Sequence, residues 1–157
     1  MTRNTLVLLA AGGSAALLLA AFAFQHLGGL APCALCLWQR WPHAAAVVLG
    51  AAALGVPGAL PPLLGAAAAL ATGGIGVYHT GVERGWWEGP AACAGGGDLS
   101  GLSVEELTAQ IMSAPLVRCD DVAWQVLGLS MASWNAIAAF GLAALWLLAA
   151  RKALADA

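Results

Sequence analysis

The chain has 157 residues, of which 61% are hydrophobic and only 9% charged, with a net charge of −2 and a mean hydropathy of +0.83. A soluble domain averages about 25% charged residues, so a wholly water-facing surface is excluded and a polytopic membrane protein held in a lipid bilayer is expected. No basic cluster suits nucleic acid, and the cysteine count of four is even, so all can pair if the polar loops face an oxidising compartment.

Residues 5–24 run without a charge, and about 20 apolar residues suffice to cross the hydrocarbon core. Arg3 before them, with no charge after, puts the N-terminus in the cytoplasm. Ala21-Phe22-Ala23 resembles a signal cleavage site, but the apolar run exceeds an h-region of about 7–15 residues, so a retained span is expected. On either reading, Gln25 onward emerges outside.

The loop 25–35 then delivers Pro32-Cys33-Ala34-Leu35-Cys36-Leu37-Trp38-Gln39-Arg40. Cys-x-x-Cys spacing lets two sulfurs close one small ring or share one metal. On a helix, Cys36 and Arg40 stand i, i+4, roughly 6 Å apart along the axis, and a fixed positive charge there favours the reactive thiolate. A structural disulfide, or a zinc half-site beside a coincidental arginine, reads from the same residues. The second span is about 36–56. Pro42 suits a helix's first turn, so the cysteines belong in the opening turns of that span or in a turn capping it. Trp38 and Trp41 fit the aromatic belt at the interface. Arg40 would cost about 2.5–3.5 kcal/mol at the bilayer centre, so it sits near the interface or has a partner; a snorkelling anchor is the plainer alternative.

Gly55-Val56-Pro57-Gly58 and Pro61-Pro62 mark a tight cytoplasmic turn before a third span, about 63–82, in which Gly73, Gly74 and Gly76 allow close helix packing. His79 lies at its outer end. A fourth span, about 127–150, is followed by Arg151 and Lys152, which place the C-terminus in the cytoplasm. The expectation is an all-α, four-helix membrane bundle forming a single domain, 1–157.

Between the last two spans lies a polar external loop, 83–126, with seven of the eight acidic residues and only Arg84 and Arg118 as bases. Gly95-Gly96-Gly97 forms its flexible tip. Ser103-Val104-Glu105-Glu106 reads as a capping box, with Leu102 and Leu107 as a hydrophobic staple, opening a short external helix that ends before Pro115. Val104, Leu107 and Ile111 share one face of it, to lie on the bilayer or to pack on the spans. Cys93 and Cys119 flank that helix. Two cysteine pairs on the same side can pass electrons by thiol–disulfide exchange; two inert staples are the alternative. His26, His43 and His79 lack metal-finger spacing, and Leu37 after Cys36 excludes the common haem-attachment motif.

Phe24-Gln25-His26, Pro32-Cys33-Ala34-Leu35-Cys36, Arg40 and the closing Cys119-Asp120-Asp121, Trp124, Leu127-Gly128-Leu129 and Met131 resemble the DsbB family of bacterial inner-membrane thiol oxidases. One departure is Gln39, where that family often carries glutamate. The resemblance implies an enzyme that reoxidises a periplasmic DsbA-like, thioredoxin-fold dithiol oxidase and passes the electrons to membrane quinone, ubiquinone first and menaquinone second. It implies that Cys93 receives the partner as a mixed disulfide, that Cys119 leaves and engages Cys33, and that Cys36 faces quinone. Arg40, and more weakly His79, would then bind the quinone. Rival readings are a vitamin K epoxide reductase-like protein, whose Cys-x-x-Cys lies later in its bundle, a paralogue with one dedicated partner, and a disulfide-stapled structural membrane protein.

Overall fold

The computed structural model describes residues 1–90, 93, 103–113 and 117–156. Four long helices dominate them: α1 (Arg3–His26), α2 (Ala34–Gly55), α3 (Leu60–Glu83) and α5 (Met131–Ala155), with a short α4 (Val104–Ser113) between the last two. α1, α3 and α5 are long and apolar enough to cross a membrane. α2 has 22 residues but carries Gln39, Arg40, Pro42 and His43 in its first half.

The long helices form a ring. α1 packs on α2 and α5, α3 packs on the same two, and α1 scarcely meets α3 across the middle. Each start has its local cause. The Thr2 hydroxyl caps α1, and Pro61 and Pro62 occupy the first turn of α3, where their missing N–H groups cost nothing. Arg3 donates to the carbonyls of Val56 (2.9 Å) and Gly58 (3.2 Å), so the start of α1 and the α2–α3 turn share one end of the bundle. The lower core is built from alanines around the fully buried Trp146.

Small residues let these helices touch. A Cβ on Gly65 would stand 2.6 Å from the Trp146 ring, and one on Gly76 would meet Ala132 and Ala136 of α5 at 3.1 Å. Gly73 lies against Phe140, but Gly74, grouped with it in the sequence, has nothing among the described residues within 4 Å of such a Cβ. α2 begins at Ala34, so the cysteines stand at its opening as expected, and Pro42 lies inside the helix. The final helix begins at Met131 rather than near 127, because Gln125–Val126 pairs antiparallel with Leu129–Ser130 around Leu127 and Gly128, both at positive φ. Ser130 then caps α5 by accepting from the Ser133 N–H. In α4 the capping box is present: Ser103 N–H donates to Glu106 (2.9 Å), and Glu106 N–H donates to the Ser103 hydroxyl (3.3 Å). The glycine tip 95–97, Leu102 and the stop before Pro115 lie outside the described residues.

Candidate active site

The end of α2 opposite the α2–α3 turn begins at a cysteine. Cys33 is the N-cap of α2, and its sulfur accepts the N–H of Cys36 at 3.3 Å, taking the place usually held by a serine or aspartate oxygen. Cys36 therefore sits in the first turn, where the helix dipole favours negative charge on sulfur. The two sulfurs are 3.0 Å apart and unbonded, with Cys33 S–H donating to Cys36. That hydrogen bond and burial push the Cys33 thiol up from its ordinary value.

Cys93 and Cys119 are joined in a disulfide that closes 26 residues, with Cα atoms 5.2 Å apart. The two pairs pack together. Cys33, Cys93 and Cys119 are all buried in one small cluster with Leu35 and Val82, and Cys36 lies at its edge.

His79 of α3 is 3% exposed, and its Nε2 approaches Cys33 Sγ at 3.5 Å and a Glu83 carboxylate oxygen at 3.9 Å. Its Nδ1 lies 3.0 Å from Gln39 Nε2. From there a buried chain of hydrogen bonds runs inward. Asn135 of α5 donates to Gln39 Oε1 (2.7 Å) and to Thr72 Oγ1 (3.3 Å), while His43 Nε2 meets Asn135 Oδ1 at 2.9 Å. Thr72 in turn donates to the Gln39 carbonyl at 3.0 Å, inside the stretch of α2 that Pro42 interrupts. Three helices are thus joined by polar contacts at one level, where an apolar core would not fix their register so sharply.

Arg40 turns to α1 rather than to Cys36. Its guanidinium reaches α1, donating to Gln25 Oε1 (2.7 Å) and the Ala21 carbonyl (3.5 Å) and lying 4.9 Å from the centre of the Phe22 ring. Its Nε is buried and has no hydrogen-bond partner among the described residues. Arg40, Cys33, Cys36 and His79 all border one cavity of about 450 Å³, walled by Leu17, Ala21 and Phe24 of α1 and by Met131 and Ala138 of α5. Trp124, packed on Phe24 at 5.3 Å, borders it from the segment that follows Cys119.

Five of the six residues singled out from the sequence as cysteine relay or cofactor contacts thus pack as neighbours, Arg40 joining them across the cavity. Gln39 had drawn notice only as a departure, and Asn135, Thr72, His43 and Glu83 were not assigned to the site. Asn135 did carry a signal, since a carboxamide within an otherwise apolar span is costly unless it has a structural or functional partner.

A model of the family described as Disulfide bond formation protein DsbB matches residues 3–149 of this chain. Among similar proteins, the disulfide bond formation protein B of Methylococcus capsulatus is 39% identical over 142 residues, covering 85% of each chain. That of Albidiferax ferrireducens is 34% identical, covering 80% of this chain and 74% of its own. That of Pasteurella multocida is 31% identical, covering 77% and 71%. No solved structure matches. With a family match across nearly its whole length and relatives of this likeness, the chain belongs to the DsbB family of disulfide bond formation proteins.

Proposed function

We propose that this protein is an inner-membrane thiol:quinone oxidoreductase that reoxidises a soluble periplasmic dithiol protein of the DsbA kind. The observation that carries the reading is the Cys33–Cys36 dithiol bordering an apolar cavity of about 450 Å³ beside a buried arginine nitrogen with no partner among the described residues. A quinone head group suits that cavity. Its ring matches the aliphatic walls, and Arg40 offers N–H donors to a carbonyl oxygen, with His79 bordering the same cavity. When bound, the quinone supplies a two-electron, two-proton acceptor.

The chain's own residues perform the exchanges. A partner thiolate attacks Cys93 Sγ, and Cys119 leaves as thiolate. Cys119 attacks Cys33 of an oxidised Cys33–Cys36 pair, forming a Cys33–Cys119 bond and releasing Cys36 as thiolate. The partner's second thiol displaces Cys93, which reclaims Cys119 and frees Cys33. Cys33 and Cys36 are then a dithiol, and their S–S bond re-forms as two electrons and two protons pass to the acceptor. The packing of Cys33 beside Cys119 supports this order, because exchange requires contact between sulfurs.

In this reading α2 is a fourth span despite its polar residues, since Gln39 and His43 are turned into the bundle and buried. Both termini are cytoplasmic, and the cysteines and α4 are periplasmic. Reporter fusions after Pro57 and Lys152 should read cytoplasmic, and one after Gly97 periplasmic. The activity is tested by supplying purified protein with a reduced periplasmic dithiol protein and following quinone absorbance. Absence of dithiol-dependent quinol formation with both ubiquinone and menaquinone analogues would refute the proposal.

A further inference from the structure

The buried amides have only one consistent set of donors and acceptors, and it ends on His79. Backbone carbonyls accept and never donate. Thr72 Oγ1 spends its proton on the Gln39 carbonyl, so it must accept from Asn135, whose amide nitrogen therefore faces Thr72 and Gln39 Oε1. At the other end, Gln39 Nε2 also donates to the Leu35 carbonyl at 3.2 Å. Both ends agree that Gln39 turns its NH₂ group toward His79 Nδ1. That nitrogen is consequently the acceptor, and the neutral ring carries its proton on Nε2, the atom facing Cys33.

We infer that Gln39 and Asn135 are positioning residues that lock His79 as a hydrogen-bond donor to Cys33, so that the active thiolate settles on Cys36. This inference rests on the cysteine pair being the redox site. The geometry forms a one-way chain: His79 Nε2–H toward Cys33 Sγ at 3.5 Å, and Cys33 S–H toward Cys36 Sγ at 3.0 Å. Each donor polarises the next, and the negative charge is left on the sulfur that shares the cavity with Arg40. The opposite tautomer would present a lone pair to Cys33 and draw its proton away from Cys36.

The same polarity bears on metal binding. Cys33, Cys36 and His79 bring their ligand atoms within 4.8 Å of one another, a spacing that suits a soft cation. A neutral imidazole bound through Nε2 must carry its proton on Nδ1, where it would meet the Gln39 NH₂ donor head-on. The amide thereby guards a dithiol against capture by zinc with His79 as third ligand.

The test uses the full-length reduced protein in lipid nanodiscs, without partner or quinone, so it does not depend on turnover. Ring ¹⁵N shifts of His79 should report the proton on Nε2, and a mass-resolved alkylation series should label Cys36 well before Cys33. The charged and titratable groups facing His79 or its cavity among the described residues are Cys33, Cys36, His43, Glu83, Arg40, Arg118 and Asp121, and all are retained in the variants. Gln39→Glu replaces the donor with an acceptor, so the proton should move to Nδ1. Cys36 alkylation should then begin about one pH unit higher, a tenfold loss at fixed pH, and added Zn²⁺ should block alkylation of both cysteines. Asn135→Asp touches His79 only through Gln39; by removing the donor to Gln39 Oε1 it should turn that amide over and give the same tautomer change. A wild-type His79 with its proton on Nδ1 would overturn the inference, as would an unchanged Cys36-to-Cys33 preference in both variants.

Discussion

The two cysteine pairs are built by opposite means. Cys33 and Cys36 are three residues apart, and the first turn of α2 sets their geometry, so local helix chemistry suffices. Cys93 and Cys119 are 26 residues apart and owe their meeting to a covalent bond across a long connection. The near pair is held by hydrogen bonds to a buried network, while the far pair holds its own surroundings. Under the proposed function, one pair stays beside the cavity, and the other, buried in the same cluster, is the pair that must open to a soluble protein.

The largest expected effect separates chemistry from architecture. Cys33→Ser or Cys36→Ser should reduce dithiol-dependent quinone turnover by about a thousandfold or more, as for loss of a reacting nucleophile. Serine can still cap α2, so helix content and thermal midpoint should barely change. A large fall in midpoint would mean that the near pair is a staple after all.

Removing the far pair tests the converse. Cys93→Ser with Cys119→Ser should also abolish turnover with the partner, but it should in addition loosen the fold around α4. Closing a loop of this size contributes about 2–4 kcal/mol, so protease cleavage near α4 should accelerate in the double variant and not in Cys33→Ser. The near pair, tested alone in that variant, should still reduce quinone when supplied with a small dithiol.

Much of this architecture was legible in the residues. Hydropathy marked the three helices apolar enough to cross a membrane, and the capping box at Ser103 and Glu106 marked α4, because these are signals of local sequence. The opening of α2 at the cysteines was also legible, although Pro42 did not mark it: the proline lies inside the helix, where Thr72 from α3 hydrogen-bonds the nearby Gln39 carbonyl. The Leu127–Gly128 turn was missed because an apolar leucine at positive φ has no signature in a hydropathy pattern. The Gln39–Asn135–Thr72 network joins residues as much as 96 positions apart, and no periodicity connects them.

Arg40 gives an intermediate effect. Arg40→Lys keeps a charge but loses the planar fork shared among Gln25, Ala21 and the cavity. It should raise the KM for quinone about tenfold, the cost of one hydrogen bond to a charged group, with kcat little altered. Arg40→Ala should lower kcat as well. Unchanged kinetics in both would make Arg40 an anchor to α1 and nothing more.

The smallest effect lies in α4. The Glu106 carboxyl is held below its ordinary value by the backbone N–H and hydroxyl of Ser103. A depressed folded pKa means that the contribution to helix stability is full above the unfolded value of about 4.3 and fades as pH falls through the folded one. Amide exchange in α4, corrected for intrinsic rates, should therefore speed up on acidification, and Ser103→Ala should flatten that dependence. Neither change should alter the Cys33–Cys36 pair.

The relay between the pairs is tested most directly by the Cys119→Ser protein mixed with the reduced dithiol partner and quinone, followed by acid quench and mass analysis of the disulfides. The expected result is an accumulating Cys93–partner mixed disulfide with no steady quinol formation, because the thiol that should carry electrons to Cys33 is gone. Normal quinol production by Cys119→Ser would contradict the relay, since electrons would then be reaching the near pair without passing through the far one.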